Sequence, residues 1–104
     1  MFFLLNYIKI YLYLTIKEIY IKHIQFKTTG TCARVIELDL DDNNIIHNCK
    51  FEGGCNGNLK AISKLVEGKE ASEISKILKG NTCGPRATSC ADQLSLALEN
   101  AINE

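Results

Sequence analysis

The sequence predicts an α+β fold, a small antiparallel sheet of about three strands packed by three C-terminal helices. Three observations point to it. Apolar and polar residues alternate from Ala33 to Leu40 and again from Ile45 to Phe51, the two-residue period of half-buried strands. Beyond Asn58 the apolar spacing becomes that of helices. Gly68 and Gly80 then divide that second half into separate helices.

Residues 1–24, MFFLLNYIKIYLYLTIKEIYIKHI, are rich in Ile, Leu, Tyr and Phe and contain neither Gly nor Pro. A secretory signal needs early positive charge, an unbroken apolar centre and a small-residue cleavage site, and these are missing. A membrane span needs roughly 20 apolar residues. The most apolar stretch, Phe2 to Ile16, is interrupted by Asn6, Lys9 and Thr15, so no membrane span is expected. The segment reads as an apolar N-terminal extension, an extra strand or helix, ahead of a domain over residues 25–104.

The first strand is expected around Ile21 to Thr28. In the second, Ala33 to Leu40, the alternation puts Ile36, Leu38 and Leu40 on one face with Arg34, and Glu37 and Asp39 on the other. Asp41-Asp42-Asn43-Asn44 is turn chemistry. The third strand then carries Ile45, His47, Cys49 and Phe51 on one face, which makes an antiparallel hairpin. His23 and His47, on or near strands, read as surface or core residues.

The first helix is expected over Asn58 to Glu67, with Leu59, Ile62 and Val66 on one stripe, Leu65 beside it and Gly68 ending it. The second runs from Glu70 to Lys79, buries Ala71, Ile74, Ile77 and Leu78, and stops at Gly80. The third begins near Ser89. It carries Leu94, Ala97, Leu98 and Ala101 on one face, and Ser89 with Asp92 forms a capping-box pattern.

At 104 residues and 46% apolar the chain has material for one core. Twelve basic and twelve acidic side chains cancel, so no general positive field exists to neutralise phosphates and general nucleic-acid binding is not expected. The five cysteines, Cys32, Cys49, Cys55, Cys83 and Cys90, are the unusual feature. Without an export signal the expected compartment is the reducing cytoplasm, where spaced thiols bind metal or do redox chemistry.

Cys49 alternates with apolar strand residues and reads as core. The other four fall at element ends. Cys32 follows Gly30-Thr31 at a strand start, and Cys55 sits in the glycine-rich stretch EGGCNGN before the first helix. Cys83 lies in the loop NTCGPRATSC, and Cys90 opens the third helix, where backbone amides favour thiolate over thiol. Gly53, Gly54 and Gly57 allow the backbone of that stretch to deliver Cys55 beside a helix end. These cysteines are not the close C-x2-C pairs of zinc ribbons, so a site would be assembled by tertiary structure. Four thiolates suit Zn2+ or an iron–sulfur cluster, and a core unit of roughly 80 residues gains from a metal staple. A phosphate-cradling glycine loop is the rival reading, without the Lys-Ser/Thr pair of a P-loop.

Residues 28–102 closely resemble the small stand-alone TSCPD-domain proteins. The elements are GTC (30–32), F-x-G-G-C-x-G-N (51–58), L-x-G-x-x-C-G (78–84) and TSC-x-D-Q-L (88–94). Cys32, Cys55, Cys83 and Cys90 all fall in these motifs, and Cys49 does not. Ala91 replaces the family's proline, which would stiffen the first helical turn. Residues 1–24 lie outside the pattern. The domain also occurs appended to ribonucleotide reductases, so the resemblance implies an accessory role in ribonucleotide reduction and DNA synthesis. Catalysis by this chain alone is not implied, because 104 residues cannot form a reductase barrel. In element order the chain also resembles the iron–sulfur cluster assembly scaffolds. Cys32, Cys55 and Cys90 match the three scaffold cysteines, and the scaffolds' aspartate and chaperone-docking tail have no counterpart.

The expected function is a metal-binding accessory or scaffold domain, with zinc or an iron–sulfur cluster on Cys32, Cys55, Cys83 and Cys90. Its partner would be a ribonucleotide reductase or a cluster-delivery protein. One alternative is a thiol redox relay for the reductase, cycling Cys83 and Cys90 between dithiol and disulfide. Another is a nucleotide-binding regulatory module using the glycine loop.

Overall fold

The computed structural model describes residues 21–103. Three strands, β1 (Lys22–Lys27), β2 (Ala33–Leu40) and β3 (Ile46–Gly53), are followed by three helices, α1 (Asn56–Val66), α2 (Ala71–Leu78) and α3 (Cys90–Ile102). The strands form an antiparallel meander in the order β1-β2-β3. Lys22 stands opposite Leu40, and Leu40 opposite Ile46. The fold is the α+β sheet-and-helix arrangement that the two periodicities predict.

One face of the sheet is buried by the helices. Ile36, Leu38, Leu40, Ile46 and Cys49 meet Val66 of α1, Ala71 at the start of α2, and Leu94, Leu98 and Ala101 of α3. Fully burying a Leu or Ile is worth about 1.5–3 kcal/mol, so this cluster carries most of the fold. The opposite face is polar.

Two β-bulges correct the simple alternation. Ala33 pairs with Gly53 and Val35 with Glu52, which leaves Arg34 as an extra residue on β2. Arg34 is therefore exposed, and does not share the buried face with Ile36. On β3, Asp39 opposes His47 while Glu37 opposes Lys50, and Asn48 takes φ 55°. The bulge turns His47 outward, and Ile46 rather than Ile45 joins the core with Cys49. Asparagine tolerates this left-handed conformation better than most residues. Alternation alone does not show where a bulge falls.

The turn before β3 is held by Asp41, whose Oδ1 accepts from the backbone amides of Asn43 (2.9 Å) and Ile45 (3.0 Å). The helices start and end within two residues of expectation. Gly68 (φ 77°) and Gly80 (φ 80°) follow the last turns of α1 and α2 in the left-handed conformation that stops a helix. Leu65 and Ile77, expected in or beside the buried stripes, are instead 72% and 66% exposed. α1 and α2 are short and rest on the sheet and on α3 along one line only, so each buries a narrow stripe. α3 is the central helix, with Ala91, Leu94, Ser95, Ala97, Leu98 and Ala101 all buried.

Candidate metal centre

The four element-end cysteines are carried by three loops around one end of the sheet. The first, between β1 and β2, is closed by Thr28, whose amide donates to Arg34 O (3.0 Å) and whose hydroxyl donates to Ala33 O. It presents Cys32 exposed to solvent. The second, Gly53-Gly54, leads from β3 to Cys55, which caps α1 from its N-terminal side and accepts from the Leu59 amide (2.9 Å). The third joins α2 to α3 and carries Cys83, before Cys90 opens α3.

Glycine brings the first two loops together. Gly53 (φ 82°) and Gly54 (φ 81°) both hold positive φ. A Cβ on Gly54 would stand 2.7 Å from Leu59 Cδ1 and 3.1 Å from the Ala33 amide nitrogen, so only glycine fits between α1 and the start of β2. Gly57, expected to share that role, lies inside α1 with nothing within 4 Å of a Cβ.

The third loop is tied to the first by residues that sequence reasoning passed over. Gln93, almost fully buried, accepts from the Thr29 amide (3.2 Å) and donates to Thr88 Oγ1 (3.0 Å). Thr88 donates to Asp92 Oδ2 (2.5 Å), and its carbonyl accepts from the Cys83 amide (3.2 Å). Ser89 caps α3 by accepting from the Asp92 amide (3.1 Å), as expected. The Asp92 carboxylate does not close a reciprocal box; it accepts from Thr88 and from the Gly80 amide (2.7 Å). Those bonds hold its pKa below the ordinary carboxylate value. Gln93 stands in the TSC-x-D-Q-L stretch, the one signal that could have found it.

The result of this bracing is a sulfur pair. Cys32 Sγ lies 3.9 Å from Cys90 Sγ, and Thr31 Oγ1 lies 2.8 Å from the same Cys90 sulfur. Cys90 is 9% exposed and packs with Ala33 and Leu59. The Cys32 thiol is held below its ordinary pKa first by the Cys90 thiol; desolvation, the next largest effect, opposes this, and the backbone amides of Cys32 and Cys55 and the Thr31 side chain add to the lowering. All five cysteines are free thiols. Cys49 lies apart in the main core, where burial pushes its pKa up to about 11. It is a core residue, as its alternation with apolar neighbours predicts.

The structure thus brings Cys32 and Cys90 together and places the Cys55 backbone beside them. Cys55 and Cys83 remain exposed on adjoining loops. Among the described residues, no three His, Cys, Asp or Glu side chains converge on a ready-made metal position. The donor chemistry nevertheless fits. Two thiolates on one tetrahedral Zn2+, at about 2.3 Å each, stand roughly 3.8 Å apart, and the Cys32–Cys90 separation is 3.9 Å. His23 and His47 are not part of this site; His23 bonds Asp39 on β2, and His47 bonds Asp41 in the turn before β3 and Glu67 at the end of α1.

The family model of the TSCPD domain matches residues 11–102. The chain belongs to the TSCPD domain family. The match begins inside the N-terminal segment that motif reading leaves outside the pattern, and so takes in residues 11–24 as well. No curated protein and no solved structure matches the chain. Among the described residues no helix is long and apolar enough to cross a membrane. The TSCPD motifs contain the Cys32–Cys90 pair, Gly54 and Gln93, so the matched pattern coincides with the braced loops.

Proposed function

We propose that this TSCPD domain is a metal-binding accessory or scaffold module, with Cys32, Cys55, Cys83 and Cys90 as ligands to zinc or an iron–sulfur cluster. The observation that carries the reading is the Cys32–Cys90 sulfur pair at 3.9 Å, the edge length of a metal–thiolate tetrahedron. Cys32 and Cys90 form the fixed half of the site. Cys55 and Cys83, both exposed, would complete it by closing on that pair, and binding would then tie three loops together, so metal affinity and stability rise together. Its partner, on this reading, is a ribonucleotide reductase or a cluster-delivery protein. No catalysis is assigned to the chain itself.

Metal and acid-labile sulfide analysis of protein purified without oxygen tests the reading. About one zinc per chain without sulfide supports a structural site, and iron with sulfide supports a cluster scaffold. Cys32→Ser, Cys55→Ser, Cys83→Ser and Cys90→Ser should each lower metal content and melting temperature, whereas Cys49→Ser should leave metal content unchanged. A metal-free parent, or four variants that retain full metal, would sink it.

The sulfur pair also favours a second reading, a thiol relay that uses Cys32 with Cys90. An incoming disulfide would accept two electrons and two protons and leave as two thiols, while Cys32 and Cys90 form one disulfide. Titration against glutathione buffers, followed by peptide mapping, distinguishes that pair from Cys83–Cys90.

A further inference from the structure

Among the described residues β3 is an edge strand, and its outer edge is only half used. Near its start, Ile46 N donates to Lys69 O (2.9 Å), Gly68 N donates to Ile46 O (2.8 Å), and the Asn48 amide donates to Glu67 Oε1 (2.9 Å). Past the Asn48 bulge, Lys50 to Gly53 find backbone partners only on the β2 side among the described residues. Alongside that open stretch runs a groove of about 360 Å3 between β3 and α1. Phe51, Cys49 and Leu59 supply its apolar part. Lys50, Lys60 and Lys64, all exposed, stand around it, and among the described residues no carboxylate lines it.

We propose that this groove docks an extended acidic segment of a partner protein, added to β3 as a fourth strand with its carboxylates on Lys60 and Lys64. An open strand edge supplies the main-chain bonds of such an addition, and the flanking side chains supply its selectivity. Four residues of edge, at about 3.3 Å each, give a footprint of about 13 Å, enough for one short segment. A second copy of the chain is a poor occupant. Pairing β3 with β3 would bring Lys60 and Lys64 of both copies beside one shared edge and add Lys50 of each on its other face, and lysines at a strand edge oppose self-association. Nucleic acid fits less well, because the groove has an apolar floor and the chain carries no net charge. Gly53 and Asn56, which line one end, flank Cys55, so a docked segment would lie next to the cysteine loops. The surface itself requires no metal.

The test is a nitrogen-15 NMR titration of the full chain with a capped peptide of about six residues alternating glutamate and valine, compared with its lysine–valine counterpart. The expected result is saturable shifts confined to the amides of residues 50–53 and α1, with no such response to the lysine peptide. Lys60→Glu/Lys64→Glu should weaken the acidic peptide at least tenfold while its own spectrum reports an intact fold, and methylation of the peptide's backbone nitrogens should abolish binding. Several outcomes would overturn the proposal: no saturable shifts, equal response to both peptides, or affinity unchanged in the double variant. It would fall equally if the same amides shifted on dilution, which would assign the edge to a dimer, or if a single-stranded oligonucleotide bound there more tightly than the peptide.

Discussion

Gly54→Ala offers the sharpest test of how the cysteine loops are built. Gly54 holds φ 81°, where an L side chain costs about 1–2 kcal/mol. The new methyl would also stand 2.7 Å from Leu59 Cδ1 and 3.1 Å from the Ala33 nitrogen. The leucine end can turn aside, at about 0.5–1.5 kcal/mol for an off-rotamer side chain, while the backbone nitrogen cannot. The sum is about 1.5–3.5 kcal/mol of destabilisation, and for a domain of this size each kcal/mol moves the melting temperature by about 4–8 °C. A fall of about 6–28 °C is expected. Gly57→Ala is the internal control, because a Cβ there meets nothing and alanine is the better helix former. It should leave the melting point unchanged or raise it. Both variants are read by circular-dichroism melts with and without chelator, which separates the fold's contribution from that of any metal. If the two variants melt alike, the close approach of Gly54 to Leu59 and Ala33 is not what shapes this loop.

Gln93→Ala removes the two half-buried hydrogen bonds that link Thr29 to Thr88, each worth about 0.5–1.5 kcal/mol, so a loss of about 1–3 kcal/mol in urea unfolding is expected. On the metal-binding reading, metal content falls with it. Cys49, with its thiol pushed to about 11, should be the last of the five cysteines alkylated in native, metal-free protein at pH 8; early labelling would contradict its burial. His47 lies 3.0 Å from Asp41 Oδ2 and 2.9 Å from Glu67 Oε2, bonds that raise its pKa above 6.5 despite some desolvation. A raised folded-state value means that its stabilisation is complete below the ordinary value of 6.5 and is lost as pH rises through the raised folded value. His47→Gln should therefore flatten the decline in stability above pH 6.5, and an unchanged pH profile would exclude the bridge.

Much of the fold was legible because periodicity records burial. The strands, the glycine stops and the α3 stripe all follow from spacing that the core enforces. Bulges are different. Alternation carried through Asn48 and past Ala33 without a break puts Arg34 and His47 on one face with their apolar neighbours, and no local composition rule marks an extra residue in a ladder. The exposure of Leu65 and Ile77 was hidden for another reason: a helical stripe shows which face is apolar, and tertiary packing decides how wide a strip of it is covered.

The cysteines divide along the same line. Position at element ends separated Cys49 from the other four, but nothing in their spacing distinguishes Cys32 and Cys90, which meet, from Cys55 and Cys83, which stay exposed. That distinction comes from side chains with no metal chemistry of their own. Gln93 and Thr88 join the Cys32 loop to the start of α3, while no equivalent side-chain brace ties Cys55 to Cys83 among the described residues. The braced pair can be set in place by folding alone, and on the proposed reading the two exposed thiols close on the metal when it binds. On the proposed reading, loss of Gln93 should therefore damage the site more than its distance from any metal would suggest. Cys55→Ser and Cys83→Ser should weaken metal binding with less effect on the metal-free fold than Cys90→Ser, whose sulfur is packed against Ala33 and Leu59. Urea unfolding of the three chelated variants measures that order directly, and an equal loss in all three would mean that the four thiols are held alike.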